Sequence, residues 1–215
     1  MTDRLVWIDC EMTGLNLGQD ALIEVAALVT DGELNVLGEG VDILINPPAA
    51  ALDAMGDYVR TMHTNSGLLA DLPQGTTLAD AEAHVLAYVR EWVPEPRKAP
   101  LAGNTVGTDR MFLARDMPVL EGHLHYRNVD VSTIKELSRR WFSKAYYNSP
   151  AKSGNHRALA DIQESIEELR YYREAVFVPS GRPGTELREI ARRHQGALTG
   201  HRHPQAPPTT PGEGH

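Results

Sequence analysis

Apolar, β-prone residues are concentrated in three segments near the N-terminus, each bounded by polar or turn-forming residues. The segments are 4–10, 21–30 and 36–45. A short, turn-rich connection at 30–33 suits an antiparallel hairpin between the second and third segments, and Pro47 and Pro48 end the run. The pattern therefore predicts three consecutive strands in a meander.

Further along the chain, short strands alternate with helices. A helix is predicted from the N-cap Thr77 to Pro94, because apolar residues recur there at helical spacing. It is followed by a strand at 100–102, a helix stopped by Pro118, a strand at 126–131, a helix through 134–141 and a last helix from near His156 towards Val176. A meander followed by such alternation indicates an α/β sandwich on a mixed five-stranded sheet flanked by helices.

Composition changes this picture mainly at the C-terminus. We predict one globular domain over 1–178 and a flexible tail over 179–215, in which 185–195 could hold a short helix. A signal-type start and an apolar run of about 18 residues are both missing from the sequence, so we expect a soluble, cytoplasmic protein without a membrane partner. The single cysteine, Cys10, excludes an internal disulfide framework and a cysteine zinc cluster.

The net charge limits the kind of nucleic acid that the protein could bind. The chain has 21 lysine and arginine residues against 29 aspartate and glutamate residues, which gives −8. Binding a long nucleic acid depends on neutralising many phosphates, and this balance has the wrong sign for it. We therefore expect no long nucleic-acid partner, and a nucleic-acid substrate should be short.

Asp9 and Glu11 stand two residues apart at the end of the first apolar strand. Side chains at that spacing project from the same face of a strand, so two carboxylates would lie side by side. The spacing alone is a weak indication, because two other acidic pairs share it in a turn and on a helix. A carboxylate at the end of an apolar strand is costly unless something binds it, which favours a metal site.

Two further acidic residues and a histidine extend this candidate site. Asp109 closes a polar, glycine-bearing turn between a strand and a helix, although a first-turn acid is also favoured simply by the helix dipole. His156 and Asp161 are five residues apart, about 140° around a helix, so both reach one site only if His156 lies on the preceding loop or in the first turn. The alternative is a surface histidine and an exposed helical acid.

The order Asp-x-Glu, Asp and His-x-x-x-x-Asp resembles the exonuclease superfamily named for its four acidic residues (DEDD), in the subclass with a histidine base (DEDDh). The sister subclass has tyrosine where this chain has Arg157. Longer stretches narrow the resemblance to the oligoribonuclease family, among them WIDCEMTGL, HTNSGL, GNTVGTDRMFL, HYRNVDVSTIKELSRRW and HRALADI. The similarity covers roughly residues 4–177.

The acidic residues and the histidine suit metal-dependent hydrolysis of a phosphodiester. Four crowded carboxylates repel one another unless cations compensate, and two divalent cations would do so. Hard oxygen ligands suit Mg²⁺ or Mn²⁺. The candidate metal ligands are Asp9, Glu11, Asp109 and Asp161. His156 is the candidate general base, because an unperturbed histidine pKa of about 6.5 lets it take a proton from the attacking water near neutral pH.

The resemblance further implies an RNase H-like fold, a homodimer, and 3′-to-5′ cleavage of very short single-stranded RNA into 5′-mononucleotides. It also implies residues that contact the bases. Leu15 would wedge between two bases, Tyr58 would stack on one of them, and His63 would help to hold the substrate.

The same resemblance implies contacts at the 5′ end of the substrate. Arg127 and Ser132 would come from the partner subunit and meet the 5′ phosphate. Tyr126 matches a tyrosine that is sometimes given a catalytic role. Thr105 stands where a serine is common and would hydrogen-bond the substrate.

Two other functions stay open at this level. A proofreading or DNA-trimming exonuclease of the same subclass would share these motifs, and contacts to the 2′-hydroxyl group would decide between RNA and DNA. A catalytically silent nucleic-acid-binding module would be indicated by the loss of a metal-site carboxylate or of the histidine, and all five residues are present.

Overall fold

A mixed sheet of five strands forms the centre of the fold. The structure is a computed structural model, and it describes residues 3–151, 157–178 and 183–194. The strands lie in the order β3-β2-β1-β4-β5, with bounds β1 Arg4–Met12, β2 Leu22–Asp31, β3 Val36–Leu44, β4 Pro100–Gly103 and β5 His125–Asp130. β1 pairs antiparallel with β2, as β2 does with β3, whereas β1, β4 and β5 run parallel. The predicted meander and mixed sheet are confirmed.

The helices in the described part of the chain include all those that the apolar spacing predicts, together with several short ones. They are α1 Ala49–Asp53, α2 Asp57–Asn65, α3 Leu68–Asp71, a 3-10 helix Leu72–Gln74, α4 Leu78–Trp92, α5 Val106–Asp116, α6 Pro118–His123, α7 Val131–Trp141, α8 Ser143–Tyr147, α9 Ala158–Ala175 and α10 Gly184–His194. The N-cap prediction at Thr77 is confirmed, since its side chain accepts the Asp80 N–H at 3.2 Å. Pro118 not only stops one helix but also starts the next, where its fixed φ suits the first turn.

Successive side chains of β1 point to opposite faces of the sheet, and each face is covered by its own apolar layer. The even-numbered residues of β1 pack with apolar residues of α4 and α5. Trp7 points to the opposite face, where it packs in one cluster with Ile162 of α9. Asp9 and Glu11 follow Trp7 at the same alternation, so β1 directs both carboxylates to the side of the sheet that α9 covers.

The chain divides into two units, Met1–Phe177 and Val178–His215. In the second unit the short helix predicted at 185–195 is confirmed as α10. The other parts of the predicted tail, 179–182 and 195–215, lie outside the described residues. Among the residues that the structure describes, no helix is both long and apolar enough to span a membrane.

Candidate active site

Three carboxylates converge where the second half of β1 faces the first turn of α9. Oxygen atoms of Asp9, Glu11 and Asp161 all lie within 4.8 Å of one another. Asp161 is one turn into α9, and its N–H donates to the carbonyl oxygen of Arg157 at 3.0 Å. The strand period and the packing of α9 on the sheet therefore bring together residues that are far apart in the sequence. We call these three residues the acidic cluster.

The fourth acidic residue, Asp109, reaches the same region from the first turn of α5. Its Oδ1 accepts the backbone N–H of Cys10 at 3.1 Å, between the two acidic residues of β1. The pairing between β1 and β4 ends at Trp7, and β4 itself ends at Gly103, so a side chain can accept the N–H of Cys10. Asp109 is buried beside the acidic cluster but does not belong to the group within 4.8 Å.

The electrostatics of this region favour a bound cation. Burial raises the pKa of Glu11 to about 8, and the charge of Asp161 adds to the rise. Burial also raises the pKa of Asp109 to about 7, although backbone N–H groups that hydrogen-bond it act in the opposite direction. A divalent cation close to both carboxyl groups would favour their ionised forms and lower both pKa values.

The donor atoms of the acidic cluster fit a hard divalent cation. Two oxygens that share a Mg²⁺ ion at about 2.1 Å lie no more than about 4.2 Å apart. A group within 4.8 Å therefore needs only small side-chain movements to bind one. All of the donors are carboxylate oxygens, which suits Mg²⁺ or Mn²⁺.

The predicted base, His156, lies outside the described residues. Arg157, the next residue, is described again, and α9 begins at Ala158. Its role as a base therefore stays a prediction.

A polar loop after β1 presents Leu15, which is 73% exposed. The buried carboxylate of Asp20 holds this loop, because it accepts Thr13 Oγ1–H at 3.0 Å and Asn16 N–H at 2.8 Å. A Cβ atom on Gly14 would lie 2.4 Å from Asp20 Oδ2, so the loop needs glycine there. The residue that is predicted to wedge between bases is thus an exposed apolar side chain on a hydrogen-bonded loop.

Helix α2 carries two more of the predicted substrate contacts, and they differ sharply in exposure. Tyr58 is 81% exposed, whereas His63 is fully buried. The Nε2 of His63 donates to the carbonyl oxygen of Met12 at 2.9 Å, and its Nδ1 lies 3.9 Å from Glu11 Oε2. A direct contact between His63 and substrate would require the ring to move; in this structure it attaches α2 to β1 behind Glu11.

Thr105 and Ser132 lie together within one chain. Their hydroxyl oxygens are 3.0 Å apart, at the N-termini of α5 and α7. Asp130 Oδ1 accepts the backbone N–H of both residues, at 3.0 and 2.9 Å. That Ser132 and Arg127 of a partner subunit meet the 5′ phosphate stays a prediction.

Tyr126 and Arg127 lie on the outer strand β5, which β4 separates from β1. Tyr126 is largely exposed, and the Arg127 guanidinium lies 5.6 Å from the centroid of its ring. These two side chains therefore face solvent at the edge of the sheet, where a second molecule could contact them.

Sequence reasoning missed three polar residues that support this region: Asp20, Glu24 and Asn104. Glu24 is 0% exposed on β2, and Asn104 Nδ2 donates to Ser165 Oγ of α9 at 2.7 Å. The sequence did contain a sign of Glu24, because a carboxylate within an apolar strand is as costly there as at Asp9. Asp20 and Asn104 lie in polar segments that carry no such sign.

The chain is similar to known exonucleases along most of its length. The family model RNase_T, described as exonuclease, matches residues 6–169. The oligoribonuclease of Streptomyces avermitilis is 73% identical over 195 residues, which cover 90% of this chain and 98% of that protein. The oligoribonuclease of Cutibacterium acnes is 66% identical over 197 residues (91% and 98%), and that of Mycobacterium tuberculosis is 58% identical over 192 residues (89% and 88%).

Solved structures of exonuclease I share the fold at low sequence identity. One structure of exonuclease I, solved in work on its processivity, superimposes with a TM-score of 0.61 at 16% sequence identity. The match covers 89% of this chain and 44% of exonuclease I. Escherichia coli exonuclease I in complex with a dT13 oligonucleotide has a TM-score of 0.60 at 16% identity, with coverage of 89% and 44%. This chain therefore spans less than half of exonuclease I, and the likeness confirms the RNase H-like fold.

Proposed function

The chain belongs to the oligoribonuclease family of exonucleases, and on that premise we propose that it shortens very short single-stranded RNA from the 3′ end and releases 5′-mononucleotides. Membership of the family makes it a metal-dependent exoribonuclease. One observation carries the proposal for its chemistry. Oxygens of Asp9, Glu11 and Asp161 lie within 4.8 Å of one another, with Asp109 beside them, and such a group of partly buried and buried acids is suited to divalent cations.

In this proposal the acidic cluster holds one divalent cation, and Asp109 helps to hold a second. Mg²⁺ or Mn²⁺ would supply positive charge against the phosphate and favour attack of water on phosphorus. His156 takes the proton from the attacking water as general base. The bond between phosphorus and the 3′ oxygen of the preceding nucleotide breaks, so the phosphate leaves on the 5′ position of the released nucleotide.

A few contacts at the ends of the substrate would select short RNA. Leu15 and Tyr58 offer exposed apolar and aromatic surface to unstacked bases, and one stacked base is worth about 1–3 kcal/mol. The Thr105 hydroxyl group, 3.0 Å from that of Ser132, would hydrogen-bond the substrate. This mode of binding agrees with a net charge of −8, which disfavours a long polyanion.

We also propose a homodimer in which Arg127 and Ser132 of one subunit meet the 5′ phosphate of a substrate bound in the site of the other. Arg127 is exposed on the outer strand of the sheet and would contact the phosphate by charge-assisted hydrogen bonds. Tyr126, exposed on the same strand, is proposed as a further catalytic residue. In this arrangement 1–178 forms the catalytic domain and 179–215 forms an appended tail.

The test is to incubate the purified protein with 5′-phosphorylated RNAs of two and seven nucleotides, in Mg²⁺ and then in chelator. We expect the dinucleotide to be converted to mononucleotides faster than the longer RNA, and neither to be cleaved in chelator. Equal rates on both RNAs would contradict the length preference. Undiminished cleavage in chelator would contradict the metal-dependent chemistry.

A DNA-trimming exonuclease is the second candidate, because the fold neighbour exonuclease I was solved with a dT13 oligonucleotide. Ribo- and deoxyribo-dinucleotides of the same sequence separate the two functions, since only the ribose carries a 2′-hydroxyl group. We expect the ribo-dinucleotide to be cleaved faster.

A further inference from the structure

Glu24 is a buried carboxylate whose partners lie at the start of α9. It is the third residue of β2, is 0% exposed, and has apolar neighbours on both sides in the sequence. Its Oε1 accepts Arg157 Nε–H at 2.9 Å, and its Oε2 accepts the backbone N–H of Ala158 at 2.9 Å. Burial of a carboxylate is costly unless it is paired and hydrogen-bonded, and these two bonds meet that requirement.

The two bonds make Glu24 the cap of α9. Arg157 is the N-cap residue of this helix and its own side chain makes no capping hydrogen bond. The free N–H groups of a helix N-terminus and its dipole both favour a carboxylate, and here that carboxylate comes from a strand of the sheet. The end of α9 that carries Asp161 is therefore attached to β2 by a charged side chain and by the backbone.

Asp161 stands one helical turn beyond this attachment. Its backbone N–H donates to the carbonyl oxygen of Arg157 at 3.0 Å, so the position of Arg157 sets the position of Asp161. On the sheet, Glu24 is the register partner of Glu11, which belongs to the acidic cluster. The attachment thus joins the two elements that supply the cluster, directly beside it.

The guanidinium group of Arg157 also forms an ion pair with Asp71 of α3. Its Nη1 donates to Asp71 Oδ2 of α3 at 3.2 Å, and the side chain of Asp71 is 41% exposed. A guanidinium group fixes two carboxylates in a planar geometry that an ammonium group cannot reproduce. Glu24 is buried, whereas Asp71 is partly exposed. The ion pair with Glu24 should therefore contribute most to fixing the position of Arg157.

We propose that Glu24 and Arg157 are positioning residues that hold Asp161 against Asp9 and Glu11, and so set the affinity of the acidic cluster for divalent cations. This inference rests on the proposed function. Neither residue needs to touch the cation or the substrate. Arg157 occupies the position at which the sister subclass has tyrosine, and in this chain its side chain is directed to Glu24 and Asp71.

The experiment measures Mn²⁺ binding to the full-length protein by isothermal titration calorimetry, for wild type, Glu24→Gln and Arg157→Met. Loss of a residue that supports a metal ligand weakens metal affinity by about 10–100-fold. We expect a loss in that range for both variants. The double variant should lose little more than either single variant, because the two residues act as one pair.

Two controls separate positioning from a general effect on stability. Asp71→Asn removes only the outer partner of Arg157 and should change the Mn²⁺ affinity less than about two-fold. Ile166→Val lowers stability by about 0.5–1.5 kcal/mol through the core side of α9 and should leave the Mn²⁺ affinity unchanged.

A kinetic measurement completes the test. If Glu24 positions a ligand, a large excess of Mn²⁺ should restore most of kcat in Glu24→Gln, while KM for a dinucleotide stays at the wild-type value. Glu24→Gln that melts earlier but binds Mn²⁺ with wild-type affinity would overturn the inference. Wild type that binds no Mn²⁺ and cleaves no RNA would instead defeat the proposed function itself.

Discussion

Removal of divalent metal should make the stability of the folded protein fall as the pH rises. Glu11 has a pKa of about 8 in the metal-free fold against an ordinary value of 4.5, and for Asp109 the two pKa values are about 7 and 3.8. Because both pKa values are raised, the folded protein keeps protons that the unfolded chain has already released. Their stabilising effect is complete below about pH 4 and is lost as the pH rises through 7 and 8.

Glu11 alone shows how large this effect is. The difference between 8 and 4.5 is 3.5 pKa units, which corresponds to a loss on the order of 5 kcal/mol over the full range. Bound divalent metal instead stabilises the folded protein. Mg²⁺ at about a hundred times its dissociation constant raises the free energy of unfolding by roughly 2.7 kcal/mol. Protons and metal compete for the same carboxylates, so Mg²⁺ should stabilise the protein more at about pH 8 than at about pH 6.

The assay is urea unfolding followed by circular dichroism at about pH 5.5, 7 and 8.5, in chelator and in Mg²⁺. Glu11→Gln, a neutral residue of the same shape, should be more stable than wild type in chelator at about pH 8.5 and should lose the response to Mg²⁺. Ile166→Val is the control. It lowers stability by about 0.5–1.5 kcal/mol through the core without removing a titrating group, so both the pH dependence and the response to Mg²⁺ should persist.

Two results would refute this reasoning. One is a metal-free stability of wild type that does not decline between about pH 5.5 and 8.5. The other is a Glu11→Gln variant with the same pH dependence and the same Mg²⁺ response as wild type.

Three further predictions concern catalysis and substrate binding. His156→Ala should lower kcat by about 10²–10⁴-fold with little change in dinucleotide affinity; an unchanged kcat in single-turnover assays would exclude a general base at this position. Tyr58→Ala should weaken binding of a dinucleotide by about 1–3 kcal/mol, whereas Tyr58→Phe should retain it, and equal losses in fluorescence binding assays would argue against stacking. Arg127→Ala should weaken binding of a 5′-phosphorylated dinucleotide more than that of its unphosphorylated counterpart; the same loss for both would rule out a 5′-phosphate contact.

The sheet and the long helices could be predicted because their apolar residues repeat with a regular period. The same period places Asp9 and Glu11 on one face of β1. The proximity of two of the four candidate metal ligands could therefore be predicted from the sequence. The short helices between 49 and 74 could not be predicted, because none of them is long enough to show a helical repeat. The convergence of Asp161 with β1 depends on how α9 packs, and that is decided by core contacts far apart in the sequence.

The residues that support the site were harder to infer than the acidic residues themselves. Asp20 acts through hydrogen bonds within its own loop and Asn104 through a partner on α9, and short polar residues in loops carry no local sign of such a role. The proximity of Thr105 and Ser132 was equally hard to predict, because it depends on how α5 and α7 bring together residues 27 positions apart in the sequence.

The central claim is that the four acidic side chains bind two divalent cations, and anomalous diffraction from crystals grown with Mn²⁺ and a non-hydrolysable dinucleotide tests it most directly. We expect one Mn²⁺ peak in contact with Asp9, Glu11 and Asp161, and a second about 3.5–4 Å away on the side of Asp109. An anomalous map with no peak among these four carboxylates, at Mn²⁺ concentrations that support RNA cleavage, would contradict the claim.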